Sequence, residues 1–144
     1  MKEQNLKNHP QLVPAYHFVL FFILLITLGW SIGHFVKTIT IGSNRVQALM
    51  FVLMNVALLL SAYLFRAFAL KAQDRAIRAE ENLRHFALTG KLLDSSLKVQ
   101  QIIALRFASD DEFVALAARA AKEGLSNKDI KAAITNWRGD FYRV

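Results

Sequence analysis

Apolar positions fall into two different patterns along this chain. Tyr16–Val36 and Val46–Phe65 are each an unbroken apolar run of about 20 residues without Asp, Glu, Lys or Arg, whereas the other 103 residues hold all 29 charges. From Arg66 onward, apolar residues recur only at helical spacing among charged ones. At ~1.5 Å of rise per residue, each uncharged run is long enough as a helix to cross a ~30 Å hydrocarbon core. A soluble core helix rarely goes uncharged around its whole circumference for five turns, and here it happens twice in succession. The pattern predicts an all-α membrane protein: a two-span transmembrane helical hairpin followed by a cytoplasmic helical module.

The boundaries follow from the punctuation. Pro10 and Pro14 mark an extended N-terminal arm over 1–15. The hairpin covers 16–65, with spans 16–36 and 46–65 and a tight outer turn from Lys37 to Arg45 rich in Thr, Gly, Ser and Asn. No Gly or Pro interrupts Val46–Thr89, so the second span is expected to run on as a juxtamembrane helix over 66–89 until Gly90. Asp74–Arg78, Glu80–Arg84 and Glu81–His85 lie on it as acid-before-base pairs. A three-helix module is expected over 91–144. Its first helix, about Leu97–Phe107, presents Ile102, Ile103 and Phe107. A capping box, Ser109 to Glu112, opens a second helix burying Phe113 and Leu116 and ending at Gly124. Ser126 caps a third, with Ile130, Ala133, Ile134 and Trp137 as its stripe.

Charge orients the hairpin. Arg66, Lys71, Arg75, Arg78 and Arg84 follow the second span, against Lys37 and Arg45 in the loop. The positive-inside bias places both termini in the cytoplasm, with those five side chains near lipid heads, and Lys2 and Lys7 agree with it. The apolar run is too long, and its polar lead too extended, for a cleaved signal peptide, so the first span is expected to be retained. Without cysteine there are no disulfides or thiolate metal sites.

Span packing is expected through small and polar residues: a Gly29–Gly33 step on the first span and an Ala57–Ser61 step on the second. Asn55, the most polar residue deep in either run, is expected to face protein and to contact Thr27 at the same depth or a neighbouring Asn55.

The residues also carry a resemblance. Gln4-Asn5, Asn8-His9-Pro10, Val13-Pro14 and Tyr16-His17-Phe18 at one end, with Ala69-Leu70-Lys71, Gln73-Asp74-Arg75, Ile103 through Asp110, Asn136-Trp137-Arg138 and Asp140 at the other, are similar to an uncharacterised bacterial family of short two-span membrane proteins. It is known as a domain of unknown function, and the likeness covers nearly the whole chain. The resemblance implies the two-span architecture and a bacterial inner-membrane location, and transfers no catalytic or binding residue.

No nucleotide-binding, hydrolase or metalloprotease motif is present, and His9, His17, His34 and His85 are scattered without metal-ligand spacing. His17 and His34 near opposite ends of one span could hold a tetrapyrrole, but interfacial histidines without cofactor are commoner, so no cofactor and no catalytic residue is expected. Ala120, Gly124, Leu125-Ser126 and Ile130 match a helix-turn-helix that would offer Asn127, Lys128, Lys131 and Asn136 to DNA. Glu123 and Asp129 weaken that face, and nucleic acid is the lesser reading. The expectation is a non-enzymatic membrane anchor or accessory subunit, in contact with lipid, whose module docks on a protein partner or self-associates. An oligomeric channel or transporter component ranks lowest, because neither span holds an ionisable acid or base away from its ends.

Overall fold

The computed structural model describes residues 4–10 and 12–141; Lys2, and the outermost residues of the expected arm and module, lie outside them. Five helices follow in order: α1 (Ala15–Ile41), α2 (Arg45–Thr89), α3 (Val99–Leu105), α4 (Asp110–Glu123) and α5 (Asn127–Ala133). Among the described residues the only extended pairing is an isolated antiparallel bridge between Ala108 and Trp137. The chain divides into two compact units. One is Leu12–Ala69; the other joins the described residues of Met1–Gln11 to those of Leu70–Val144.

In the first unit the helices outrun the uncharged segments. α1 begins directly after Pro14, whose fixed φ suits a helix start, and its opening turns, Ala15–Leu20, are wound as a π-helix. Gly42, left-handed at φ 86°, ends α1, and Asn44 at φ 56° leads into α2. The connection is thus Gly42–Asn44 alone, shorter than the expected Lys37–Arg45 turn, because Thr38–Ile41 remain helical; Arg45 donates back to Ile39 O at 3.2 Å.

Low exposure in this unit follows a spacing of four and three. It runs through Leu24, Leu28, Ser31, Phe35 and Thr38 on α1 and Ala48, Val52, Asn55, Leu59, Ala62 and Arg66 on α2. This is the seam of two helices packed along their length. Small side chains mark it. The buried hydroxyls of Ser31 and Thr38 donate to Leu28 O and Phe35 O of their own helix, both at 2.8 Å, so they need no partner across the seam. Tyr16 donates its hydroxyl to Ala62 O, and Arg66 lies 5.9 Å from the Tyr16 ring centre. Outside the seam the apolar side chains are exposed, Trp30 by 80%.

The second unit has the opposite distribution. Its core is Leu93, Leu97, Ile102, Ala104, Leu105, Phe107, Phe113, Leu116, Ala117, Ala120, Ile130 and Ile134, with Trp137 packed against its edge. Gly90, at φ 73°, ends α2 and turns the chain back. Asn82 and His85 of α2 hold the return: Leu93 N donates to Asn82 Oδ1 at 3.2 Å, and His85 Nδ1 bonds Lys91 O at 2.7 Å.

Three local expectations are corrected here. Ser109 does start α4, but its hydroxyl makes no capping bond and is buried without a partner among the described residues; Glu112 still acts on the Ser109 backbone and also reaches the chain after α5. α5 ends at Ala133, so Ile134 (φ −71°, ψ 122°) and Trp137 reach the core from an extended segment rather than a helical stripe. Ile103 is half-buried, and the positions that α3 seals are Ile102, Ala104 and Leu105.

Candidate functional site

Two places concentrate polar chemistry against apolar surroundings, one in each unit.

In the module unit, Arg84 is the joint. Its side chain is only 10% exposed, and it donates to Glu81 at 3.0 Å, to Asp110 at 2.7 Å and to Ala108 O at 2.8 Å. Its guanidinium carbon stands 4.2 Å from the Phe113 ring centre. One planar cation therefore fastens α2 to the first residue of α4 and to the chain before it, a geometry suited to Arg rather than Lys. This overturns two sequence expectations: the acidic partner on the helix is Glu81, not Glu80, and Arg84 is withdrawn from any lipid surface. Burial pushes the Glu81 carboxyl above its ordinary range, against the lowering pull of Arg84. Arg75, Arg78 and Lys71 are exposed, while Arg66 is half-buried over Tyr16.

Glu112 makes the second joint. Its carboxylate accepts from Thr135 N (3.1 Å), Thr135 Oγ1 (2.7 Å) and Asn136 N (3.0 Å). Beside it Ser109 N donates to Asn136 O at 3.0 Å and Arg138 N to Phe107 O at 2.7 Å. Burial acts to raise the Glu112 pKa, but the bonds from Thr135 and Asn136 outweigh it and hold the group below its ordinary value of 4.5.

The N-terminal arm completes this unit. The His9 ring stands 5.9 Å from both Phe107 and Trp137, which are themselves 5.2 Å apart, and His9 Nε2 is 3.1 Å from Lys131 Nζ. Gln4 and Asp140 exchange two bonds, Asp140 N to Gln4 Oε1 at 2.8 Å and Gln4 Nε2 to Asp140 O at 3.2 Å. Arg106 pairs with Asp140 at 3.2 Å. Sequence reasoning missed this strap because its contacts join the arm to residues at the far end of the chain, Gln4 to Asp140 being 136 positions apart.

The same geometry spends polar groups of the helix-turn-helix reading. Asn127 donates to Gln100 O at 2.8 Å, Lys131 lies at His9 and over the Phe107 ring, and Asn136 serves Glu112 through its backbone N–H alone. The side chains of Lys128 and Asn136 remain exposed with no contact of this kind.

In the apolar unit, Thr27, Trp30, Ser31, His34, Phe51 and Asn55 line a hollow of about 380 Å³. Thr27 and Asn55 do share it, yet the bond expected between them is absent. Each donates to its own helix, Thr27 to Ile23 O and Asn55 to Phe51 O, both at 2.9 Å. A backbone carbonyl one turn back is reached without moving a helix, which is why it wins. The Gly29–Gly33 step is also corrected: a Cβ at either position would meet nothing within 4 Å. At ~100° per residue both glycines lie on the far side of α1 from the seam. Ala57 likewise faces outward, while Ser61 is half-buried beside Ala62. His17 Nδ1 accepts from Val13 N at 3.1 Å. Among the described residues no three His, Asp or Glu side chains converge as a metal-binding group.

These features define an all-helical protein with two helices long and apolar enough to cross a membrane. The chain belongs to the DUF6526 family, a family of unknown function, which it matches over residues 1–144. No curated protein and no solved structure matches it.

Proposed function

We propose that the protein is a non-enzymatic anchor or accessory subunit of the bacterial inner membrane. In this reading α1 and the first part of α2 cross the bilayer, both termini are cytoplasmic, and the helical module docks on a protein partner or on another copy of itself. The observation that carries it is the outward face of the hairpin. Ile26, Trp30, Val46, Leu53, Leu60 and Phe65 are all more than half exposed, with apolar neighbours along both helices. Contiguous apolar surface beyond a few hundred Å² is rare on soluble monomers, and hydrocarbon is the solvent that removes its cost.

The strap supports the topology independently of charge. Residues 4–10 bond to the module, so both ends of Leu12–Ala69 must emerge on one side of any membrane that segment enters. Two crossings satisfy this; one does not. Docking is supported by Leu83, Phe86, Leu88 and Leu92, apolar side chains exposed on a unit whose other large apolar residues are mostly buried.

The test is fractionation and topology in bacterial cells. The full chain should stay in the membrane pellet through alkaline carbonate and leave it only with detergent. A reporter active only in the periplasm, fused after Val144, should be silent. Release by carbonate removes the membrane reading, and reporter activity inverts the topology. For docking, Leu83→Asp with Leu92→Asp should abolish chemical cross-links formed in intact membranes without altering the module's protease resistance.

A further inference from the structure

The hollow in the hairpin holds more hydrogen-bonding capacity than the chain uses. Ser31 and Thr27 satisfy their hydroxyl protons on their own helix, and Asn55 commits one of its two amide protons to Phe51 O. Among the described residues nothing bonds the His34 ring, the Asn55 carbonyl oxygen, the second Asn55 amide proton or the Trp30 indole N–H. A neutral imidazole offers one donor and one acceptor, and the indole one donor. Residues carrying three unused donors and two unused acceptors thus line one open concavity, together with the rings of Trp30 and Phe51.

Position makes that surplus informative. His34 lies seven residues inside the Ile41 end of α1 and Asn55 ten inside the Arg45 start of α2, roughly 10–15 Å below the connection at ~1.5 Å per residue. If the hairpin crosses a membrane, Asn55 lies at hydrocarbon depth, where an unpaired polar group has no water to turn to, and His34, three residues from Lys37, stands at its outer margin. A flat helix–helix contact would leave no hollow, whereas about 380 Å³ lies within the ~300–1,000 Å³ range of small-molecule sites.

We infer that the hairpin carries a binding site for a membrane-dissolved molecule bearing carbonyl oxygens on an apolar body, held between α1 and α2 by His34, Asn55 and Trp30. Carbonyl oxygens accept from the imidazole, amide and indole N–H groups, and a flat or acyl body lies against Trp30 and Phe51. The same chemistry is carried by a quinone ring on an isoprenoid tail and by the ester region of a diacyl lipid. The site rests on the membrane reading above, and requires nothing of the module.

The experiment uses the full chain in nanodiscs of diether phospholipid, which has no ester carbonyls, titrated with a decyl-tailed benzoquinone while tryptophan fluorescence is read. Trp30 and Trp137 are the two tryptophans, so Trp30→Phe isolates the signal. Saturable quenching is expected, most of it lost in Trp30→Phe, with half-saturation raised about tenfold by His34→Phe and by Asn55→Leu, one hydrogen bond each. His34→Gln, which keeps a donor and an acceptor, should bind within a few-fold of the unaltered chain and serves if His34→Phe fails to assemble. Repeating the titration in diester nanodiscs separates the sources. A several-fold rise in half-saturation marks the lipid ester as occupant, and an unchanged value marks the quinone ring.

Quenching that never saturates and is equal in all variants means mere partitioning and overturns the site. So does spontaneous disulfide-linked dimer from His34→Cys in this otherwise cysteine-free chain, with no saturable quenching, since a second copy then covers the hollow. Failure of the membrane reading shows up separately, as carbonate release of the unaltered protein.

Discussion

The hairpin and the module solve the burial problem in opposite directions. In the module the large apolar side chains are inside: Phe107, Phe113, Leu105 and Ile130 are essentially sealed, and charge sits outside or is paired. In the hairpin the least exposed positions include Ser31, Thr38 and Ala48, while Trp30, Val46 and Phe65 point outward. The difference between the regions is what the proposed membrane placement would require, and it locates stability in different places. The module depends on a few packed residues and two polar joints; the hairpin's seam is built from many small contacts, none of which is singly decisive.

The sharpest way to break the comparison is to truncate equivalent aromatic or aliphatic bulk in each region. Phe113→Ala removes a residue with no exposure and the surface on which Arg84 rests, and should cost about 3–5 kcal/mol. Limited proteolysis in detergent should then cut the module while α1 survives. Ile26→Ala, on the outward face, should change neither.

Arg84→Ala comes next. It leaves Glu81, with a side chain 8% exposed, without its cation, and breaking such a pair costs about 3–5 kcal/mol when both members are fully buried. Because Asp110 is open to solvent, the lower end is expected. Arg84→Lys should recover less than half, as an ammonium cannot serve Glu81, Asp110 and Ala108 while lying on the Phe113 ring. Thermal melts of the full chain in detergent check both.

Glu112→Gln tests the second joint through pH. The folded-state pKa is held below 4.5, so its stabilising contribution is fully present above that value and is lost as pH falls through the lowered one. The variant should be less stable at pH 7 and show a shallower loss of stability below pH 4.5, measured by the same melts. Glu81 has the opposite sign: its raised pKa makes the charged form costly, so its contribution improves as pH falls toward 4.5.

The smallest effects belong to the hairpin. Asn55→Leu should shift stability by under ~0.6 kcal/mol, the average for hydrogen bonds between helices in membranes, because the amide bonds its own helix. Gly29→Leu with Gly33→Leu should leave the intrachain seam unchanged, since open space lies beyond both. A loss of hairpin stability above ~1.5 kcal/mol in either would show that these residues do meet a partner.

Sequence alone determined what depends on neighbours a few positions away. The two uncharged runs, the helix ends at Gly90 and Gly124, the Ser126 cap and most of the module's apolar faces were all legible, because helical periodicity and turn chemistry are local. Rotation of each helix about its axis was not: nothing local distinguishes a Gly29–Gly33 face turned to α2 from one turned away, and only packing chose the stripe through Ser31 and Thr38. The tertiary structure also decided that Arg84 reaches Asp110, that Glu112 reaches Thr135 and Asn136 as well as the Ser109 backbone, and that His9 lies against Phe107 and Trp137. In each a side chain gains a distant partner, with or without a local one, and the distant partner exists only once the chain has folded.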